Sequence, residues 1–279
     1  MQYLRQRKRE FHLNSVLAIA GSDSSGGAGL QCDIRTISSL NLHVLSVVTS
    51  VTSQNSEGVH SSTHMDSRSV YSQLTSAFSA YSVDAVKSGM IPTQESVETI
   101  CDALQQFHGS KPFVLDPVLK TTSGTILMAE SVRVSVIDRL FPLATVVTPN
   151  IEEAQELSGI KISTREDAVM AGRELLKHGS QYVLIKGGHL HEAPGLDILV
   201  GPSQDSPVEF VNGHKFVENR NVRGTGCAYA SAIACGLATG LDILESVYRA
   251  KNYISRAILN ARRLSDRSWI LNHRWSDPI

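Results

Sequence analysis

Residues 224–227 read Gly-Thr-Gly-Cys and open a segment rich in Ala, Gly and Ser that runs to about residue 240. Successive backbone N–H groups at a glycine turn, joined to the positive end of a helix, form a cradle for anions. That reading places Gly224, Thr225 and Gly226 around a phosphate. Cys227 would stand at the helix start, where a thiol drops below its usual pKa of about 8.5 and part of it is thiolate near neutral pH. Such a thiolate could accept a hydroxyl proton while the turn absorbs charge on a transferring phosphoryl group. The alternative for Cys227 is a small residue packed on a sheet, which is the reading taken for Cys32, Cys101 and Cys235.

Other segments could supply the remaining parts. Gly21–Gly29 reads Gly-Ser-Asp-Ser-Ser-Gly-Gly-Ala-Gly after an apolar run. It is either a phosphate-binding turn at a helix start or a close packing contact. It is not a Walker A loop, because Leu30 and Gln31 follow Gly29 in place of Lys and Ser/Thr. Lys186 precedes two glycines, and a point charge there suits phosphate oxygens. Asp116-Pro117 offers either a Mg²⁺ carboxylate, direct or through water, or a simple turn. Asn150 with Glu153 is a capping-box pair, and both could also reach waters around Mg²⁺. Gln54 could pair with a heterocycle edge that offers a donor and an acceptor, or it could be an ordinary turn residue. Met90 could lie against a flat ring or serve as core.

These residues need elements to bring them together. Apolar runs at Val16–Ala20, Val44–Val51, around Val86, Phe113–Leu115, Thr145–Thr148 and Tyr182–Ile185 read as buried strands. Between them lie helical stripes, such as Leu30/Ile34/Ile37, Val70/Leu74/Phe78/Tyr81 and Val97/Ile100/Leu104/Phe107. Residues 197–201 and 208–211 suggest an edge hairpin. Two helices follow, at about 227–238 and around Val247–Ala261. Strands alternating with helices predict a doubly wound, mostly parallel α/β sheet with helices on both faces. Such sheets bind ligands beyond the carboxyl ends of their strands, which is where each candidate falls. The organisation expected is a basic N-terminal extension over 1–13, one domain over about 14–265 and a tail over 266–279.

With 26 basic and 27 acidic residues the net charge is −1, so no field favours nucleic acid or an anionic membrane. No apolar run approaches the roughly 20 residues that span a bilayer. The cysteines show no zinc spacing. Without the pattern of an export signal, a cytoplasmic location is the expectation. A nicotinamide-dependent oxidoreductase fails at Thr52-Ser-Gln54, where that fold wants an acidic residue for the ribose.

The motifs "AIAGSDSSGGAGLQCDIRT", "TSQNSEGV", "KSGMI", "VLDPV…TSG", "TPNIEEAQELSG", "VLIKGGH" and "GTGC" occur in this order. In this set the chain resembles the hydroxymethylpyrimidine/phosphomethylpyrimidine kinases of thiamine biosynthesis, within the ribokinase-like superfamily. The resemblance runs from about Val16 to Ala261. It implies that Gln54, Gly21 and Met90 hold an aminopyrimidine, and that Asp33 helps order the site near Lys186. It implies that Lys186, Thr225 and Asn150 serve ATP phosphates, and that Asp116 and Glu153 organise Mg²⁺ through water. Gly224 and Gly226 would form the anion hole. Cys227 would stand where many superfamily members carry an aspartate base. The implied reaction is ATP-dependent phosphorylation of the hydroxymethylpyrimidine and then of its monophosphate, in a homodimer. A pyridoxal kinase of the same superfamily and a non-catalytic pyrimidine sensor are the competing expectations. The chain departs from the family pattern at Arg223, where His is usual, at Leu119-Lys120, and in the C-terminal Arg267–His273, which lacks a glycine-rich ending.

Overall fold

The computed structural model describes residues 13–121, 124–188, 195–202, 209–212, 222–266 and 268–274. The apolar run Val16–Ala20 is the centre of strand β1 (Ser15–Asp23) and is buried throughout. Side chains on a strand alternate between faces. Leu17 and Ile19 accordingly enter one core, while Val16, Ala18 and Ala20 enter another on the opposite face. Helix α1 (Gly29–Ser39) returns the chain to β2 (His43–Gln54), which lies parallel to β1. Strand β3 (Val59–His64) then folds back antiparallel on β2.

The winding continues through α2 (Ser67–Ala80), β4 (Ala85–Ser88), α3 (Gln94–Ala103), β5 (Phe113–Leu115) and α4 (Glu130–Arg139). It goes on through β6 (Val146–Val147), α5 (Ile151–Ser158), α6 (Arg165–Leu176) and β7 (Tyr182–Ile185). The expected edge hairpin is β8 (Leu196–Val200) with β9 (Glu209–Asn212), antiparallel to β7 and to each other. Among the described residues the main sheet is ordered β3-β2-β1-β4-β5-β6-β7-β8-β9, and β2 through β7 in that order are parallel. Helices α2 to α6 cover the face that Leu17 and Ile19 enter. Helices α1, α7 (Thr225–Ala238) and α8 (Ile243–Leu259) cover the other.

Three elements escape a pattern reading for physical reasons. β3 is an edge strand whose residues are almost all exposed, so it carries no apolar alternation. α4 buries only Val132 and Val136. α6 turns Ala168, Ala171 and Gly172 to the sheet, and a Cβ on Gly172 would lie 2.6 Å from Val200 Cγ2. Small residues serve close packing but leave a faint stripe.

Strand β12 (Ser268–Ile270), within the segment set apart as a tail, pairs with β10 (Val222–Arg223) and with β11 (Arg262–Ser265). It therefore braces the backbone immediately ahead of Gly224. The N-terminal extension, apart from Leu13, and residues 275–279 lie outside the described residues. Among the described residues no helix is long and apolar enough to cross a membrane.

Candidate active site

Because β1, β2 and β4 to β7 run parallel, their carboxyl ends open on one edge of the sheet. Strand order reverses between β1 and β4, the place where sheets of this kind bind ligands. Gly21 on β1 and Met90 just after β4 lie against each other there, and a Cβ on Gly21 would lie 2.9 Å from Met90 Sδ. Met90 is nonetheless largely buried, so only its edge can meet a ligand. Gln54 ends β2. Its backbone is tied to the glycine turn, with Gln54 N–H donating to Ser24 Oγ at 2.8 Å and Ser24 Oγ donating to Gln54 O at 2.9 Å.

The two glycine turns interlock. Gly224 is left-handed, with φ 79°, and a Cβ there would lie 2.2 Å from Gly27 O. The Cys32 thiol donates to Gly224 O at 3.4 Å, and the Gly29 N–H donates to the Cys227 sulfur. The first turns of α1 and α7 thus lie against each other. The expectation of a lowered Cys227 pKa fails. Burial pushes the thiol up to about 11, and neither Lys87 nor the Gly29 N–H offsets it. The helix-terminus effect is real but local. Desolvation of the charged form is larger here. Arg223 is partly buried and tied to the glycine-turn side of the site. Its Nη1 donates to Asn55 O at 2.6 Å, its Nη2 lies 3.5 Å from Asp23 Oδ2, and its side chain packs over Gly27.

Lys186, just past β7, donates to Asp116 Oδ1 at 2.7 Å, and Thr148 Oγ1 donates to the same oxygen at 3.1 Å. A Cβ on Gly226 would lie 3.2 Å from Lys186 Nζ and 3.9 Å from Asp116 Oδ2. The cation, the carboxylate and the start of α7 therefore share one place. Burial works against the Lys186 charge, but Asp116 and Glu153 outweigh it and hold the ammonium above the usual lysine value.

Asn150 and Glu153 form the capping box of α5. Asn150 Oδ1 accepts from Glu153 N–H at 2.9 Å, and Glu153 Oε2 accepts from Asn150 N–H at 2.8 Å. Burial raises the Glu153 carboxyl to about 7, against the attraction of Lys186. Asn150 is also bridged to Lys186 through the backbone. Among the described residues no three His, Cys, Asp or Glu side chains cluster to hold a metal. Asp116 Oδ2 takes no hydrogen bond from the described residues, whereas Glu153 accepts from the Asn150 and Leu119 backbones. That donor set fits a Mg²⁺ held chiefly by phosphates and water, the usual habit of this ion, rather than a protein cage.

Asp33, expected to help order the site near Lys186, has no exposed surface with which to touch a substrate; it pairs with Lys87 at 2.8 Å and accepts from Ser231 Oγ on α7 at 2.9 Å. The signal was present as a lysine inside the buried run Ala85-Val-Lys-Ser88, since lysine is almost never fully buried without a partner. Asp197 was also missed. Its Oδ1 accepts from Gly187 N–H at 2.9 Å. Its Oδ2 accepts from Tyr229 OH at 2.8 Å and from Lys251 Nζ at 2.6 Å. This network fixes the backbone next to Lys186 against α7 and α8. Leu119 is buried in the core, and Lys120 turns away to pair with Glu156 at 2.9 Å.

A family model described as phosphomethylpyrimidine kinase matches residues 23–272. A hydroxymethylpyrimidine/phosphomethylpyrimidine kinase of Streptomyces coelicolor is 39% identical over 261 residues, covering 94% of each chain. Among solved structures, a phosphomethylpyrimidine kinase of Clostridium difficile 630 is 37% identical, with TM-score 0.76, covering 88% of this chain and 99% of that one. A pyridoxal kinase of Bacillus subtilis, solved as an ADP complex, is 30% identical with TM-score 0.85, covering 94% and 98%.

Proposed function

This chain belongs to the phosphomethylpyrimidine kinase family, and we propose that it transfers the γ-phosphoryl group of ATP to 4-amino-5-hydroxymethyl-2-methylpyrimidine and then to the resulting monophosphate, in thiamine biosynthesis. The observation that carries this reading is the meeting of Lys186, Asp116 and the 224–227 turn at the carboxyl edge of the sheet, where Gly21 and Met90 also lie. Phosphoryl transfer asks for position and for charge absorption rather than for covalent chemistry. The turn supplies N–H donors and Lys186 a cation. Gln54, fixed through its backbone to Ser24, offers its carboxamide to the aminopyrimidine edge, and the Met90 edge lies against the ring. The substrate hydroxyl oxygen bonds to the γ-phosphorus as the bond from that phosphorus to the bridging oxygen breaks, and ADP leaves. Cys227 holds the hydroxyl and, once its own thiol proton has passed to solvent, receives the hydroxyl proton on the sulfur. Mg²⁺, when bound with the nucleotide, would supply neutralisation of phosphate charge. Asp116 would orient its waters, with Glu153 behind, and Thr225 and Asn150 border the phosphate path. The enzyme works as a homodimer in the cytoplasm on this reading.

Pyridoxal phosphorylation is the second reading, supported by the close shape match to the Bacillus subtilis enzyme. The higher identity to the Streptomyces coelicolor kinase favours the pyrimidine. Mass spectrometry of products from ATP, Mg²⁺ and a panel of the hydroxymethylpyrimidine, its monophosphate, pyridoxal and pyridoxine separates the two. The proposal expects a pyrimidine monophosphate and then a diphosphate. Pyridoxal phosphate as the dominant product would reverse the assignment, and ATP hydrolysis with no phosphorylated vitamin precursor would abandon it.

A further inference from the structure

Lys87 lies in β4 with no exposed surface, and its Nζ donates to both oxygens of Asp33, at 2.9 and 2.8 Å. Ser231 Oγ donates to Asp33 Oδ1 at 2.9 Å. The three residues come from β4, α1 and α7, the elements that lead to Met90, to the glycine turn and to the 224–227 turn. Apolar residues of similar volume often serve stability as well as a buried ion pair does. The pair therefore calls for a functional reason.

Helix register supplies one. Cys227 is four residues before Ser231 on α7, and Gly29 is four residues before Asp33 on α1. Each pair thus shares a helix face, one turn apart. Ser231 meets Asp33 at the lower level, and the Gly29 N–H meets the Cys227 sulfur at the upper level. Lys87 joins the lower level through its bonds to Asp33. Gly89 leaves space for its ammonium, since a Cβ there would lie 2.9 Å from Nζ. Of the influences on Cys227 that oppose burial, Lys87 is the largest, ahead of the Gly29 N–H. Asp33 and Asp116 act the other way, and Cys32 and Lys186 also feel the sulfur's charge.

Building on the kinase reading above, we propose that Lys87 is the counter-charge of Cys227. It is a positioning residue, clamped by Asp33 and braced by Ser231, that supports negative charge on the sulfur while the substrate hydroxyl is phosphorylated. The thiol first gives its proton to solvent. The thiolate then takes the hydroxyl proton as the oxygen–phosphorus bond forms and the bond to the bridging oxygen of ATP breaks. Lys87 keeps its own protons throughout. Phosphorylation of the monophosphate starts from an acceptor that is already an anion, so the dependence on Lys87 is confined to the first step.

The test compares Lys87→Met and Asp33→Asn in the full chain. One readout is the iodoacetamide alkylation rate of Cys227 near pH 8.5, with Cys227→Ser as the blank. The other is turnover of each acceptor. Losing the cation slows alkylation and losing the Asp33 charge speeds it, each by about threefold or more. Opposite signs distinguish a charge effect from a packing effect, which would move both variants the same way. In Lys87→Met the first-step kcat falls about tenfold or more while KM changes by less than about threefold, and the second-step kcat stays within about twofold. A single substitution strands a buried charge and can unfold the chain. The double variant Lys87→Met/Asp33→Leu removes both charges and, once folded, should lose the first step while keeping the second. Alkylation changes of the same sign, or equal losses in both steps, overturn the proposal. Failure of the unmodified enzyme to phosphorylate either pyrimidine overturns the kinase reading instead, and the alkylation comparison still reports on Lys87.

Discussion

Replacing Gly224 with alanine tests whether the interlock of the two glycine turns builds the site. The residue has φ 79°, and the added Cβ would lie 2.2 Å from Gly27 O and 2.9 Å from Cys32 Sγ. The left-handed conformation alone costs a residue with a side chain about 1–2 kcal/mol. Restoring an ordinary carbon–oxygen contact needs the turns to separate by about 1 Å, and overpacking of that kind costs about 1–3 kcal/mol. Together these give roughly 2–5 kcal/mol, a fall in Tm of about 5–15 °C for a chain of this size. The same displacement moves the anion cradle away from Lys186, and misplacement by about 1 Å costs on the order of 100-fold in rate. Gly159 provides the control. It ends α5 with φ 72°, and nothing lies within 4 Å of its would-be Cβ. Gly159→Ala should show the conformational cost alone, about 1 kcal/mol, with kcat unchanged. Thermal melts and steady-state kinetics on the hydroxymethylpyrimidine read both quantities. If Gly224→Ala loses no more stability than Gly159→Ala and keeps kcat within about threefold, contact between the turns does not position the cradle.

Three further outcomes follow from the site. Cys227→Ala should lower the first-step rate by about 100-fold or more and the second by less than about threefold, measured by single turnover on each acceptor; equal losses would remove the sulfur from proton handling. Gln54→Leu should raise KM for the pyrimidine by roughly tenfold or more without changing KM for ATP, because the ring's polar edge is left unpaired; a matching rise for ATP would place Gln54 elsewhere. Glu153 is held at about 7 against its ordinary 4.5, so the folded state binds its proton more tightly than the unfolded state does. Its contribution to stability is full below about pH 4.5 and is lost as pH rises through 7, an effect on the order of 3 kcal/mol. Urea unfolding of Glu153→Gln should therefore lack that decline between pH 5 and 8. A decline equal to that of the unmodified chain would assign it to another group.

The local parts of this protein were legible in its residues. An all-apolar run such as Val16–Ala20 can only be a strand covered on both faces. Asn150 and Glu153 satisfy each other's backbone donors within four residues, so their capping box needs no distant partner. The alternation of strands and helices then dictates a parallel sheet, and the parallel sheet dictates that Gln54, Asp116 and Lys186 open on one edge. Partnership was decided only by the tertiary structure. Asp33 could have met either lysine, and the crossing of α1 over β4 gave it Lys87 and left Lys186 to Asp116. Arg223 found the loop at Asn55 because β12 holds β10 against the glycine turn. Cys227 shows the difference most directly. Its place at a helix start is a property of sequence and would lower its pKa. Its desolvation depends on what α1, β4 and the Asp116 turn bring around it, and that three-dimensional sum carries the thiol upward instead.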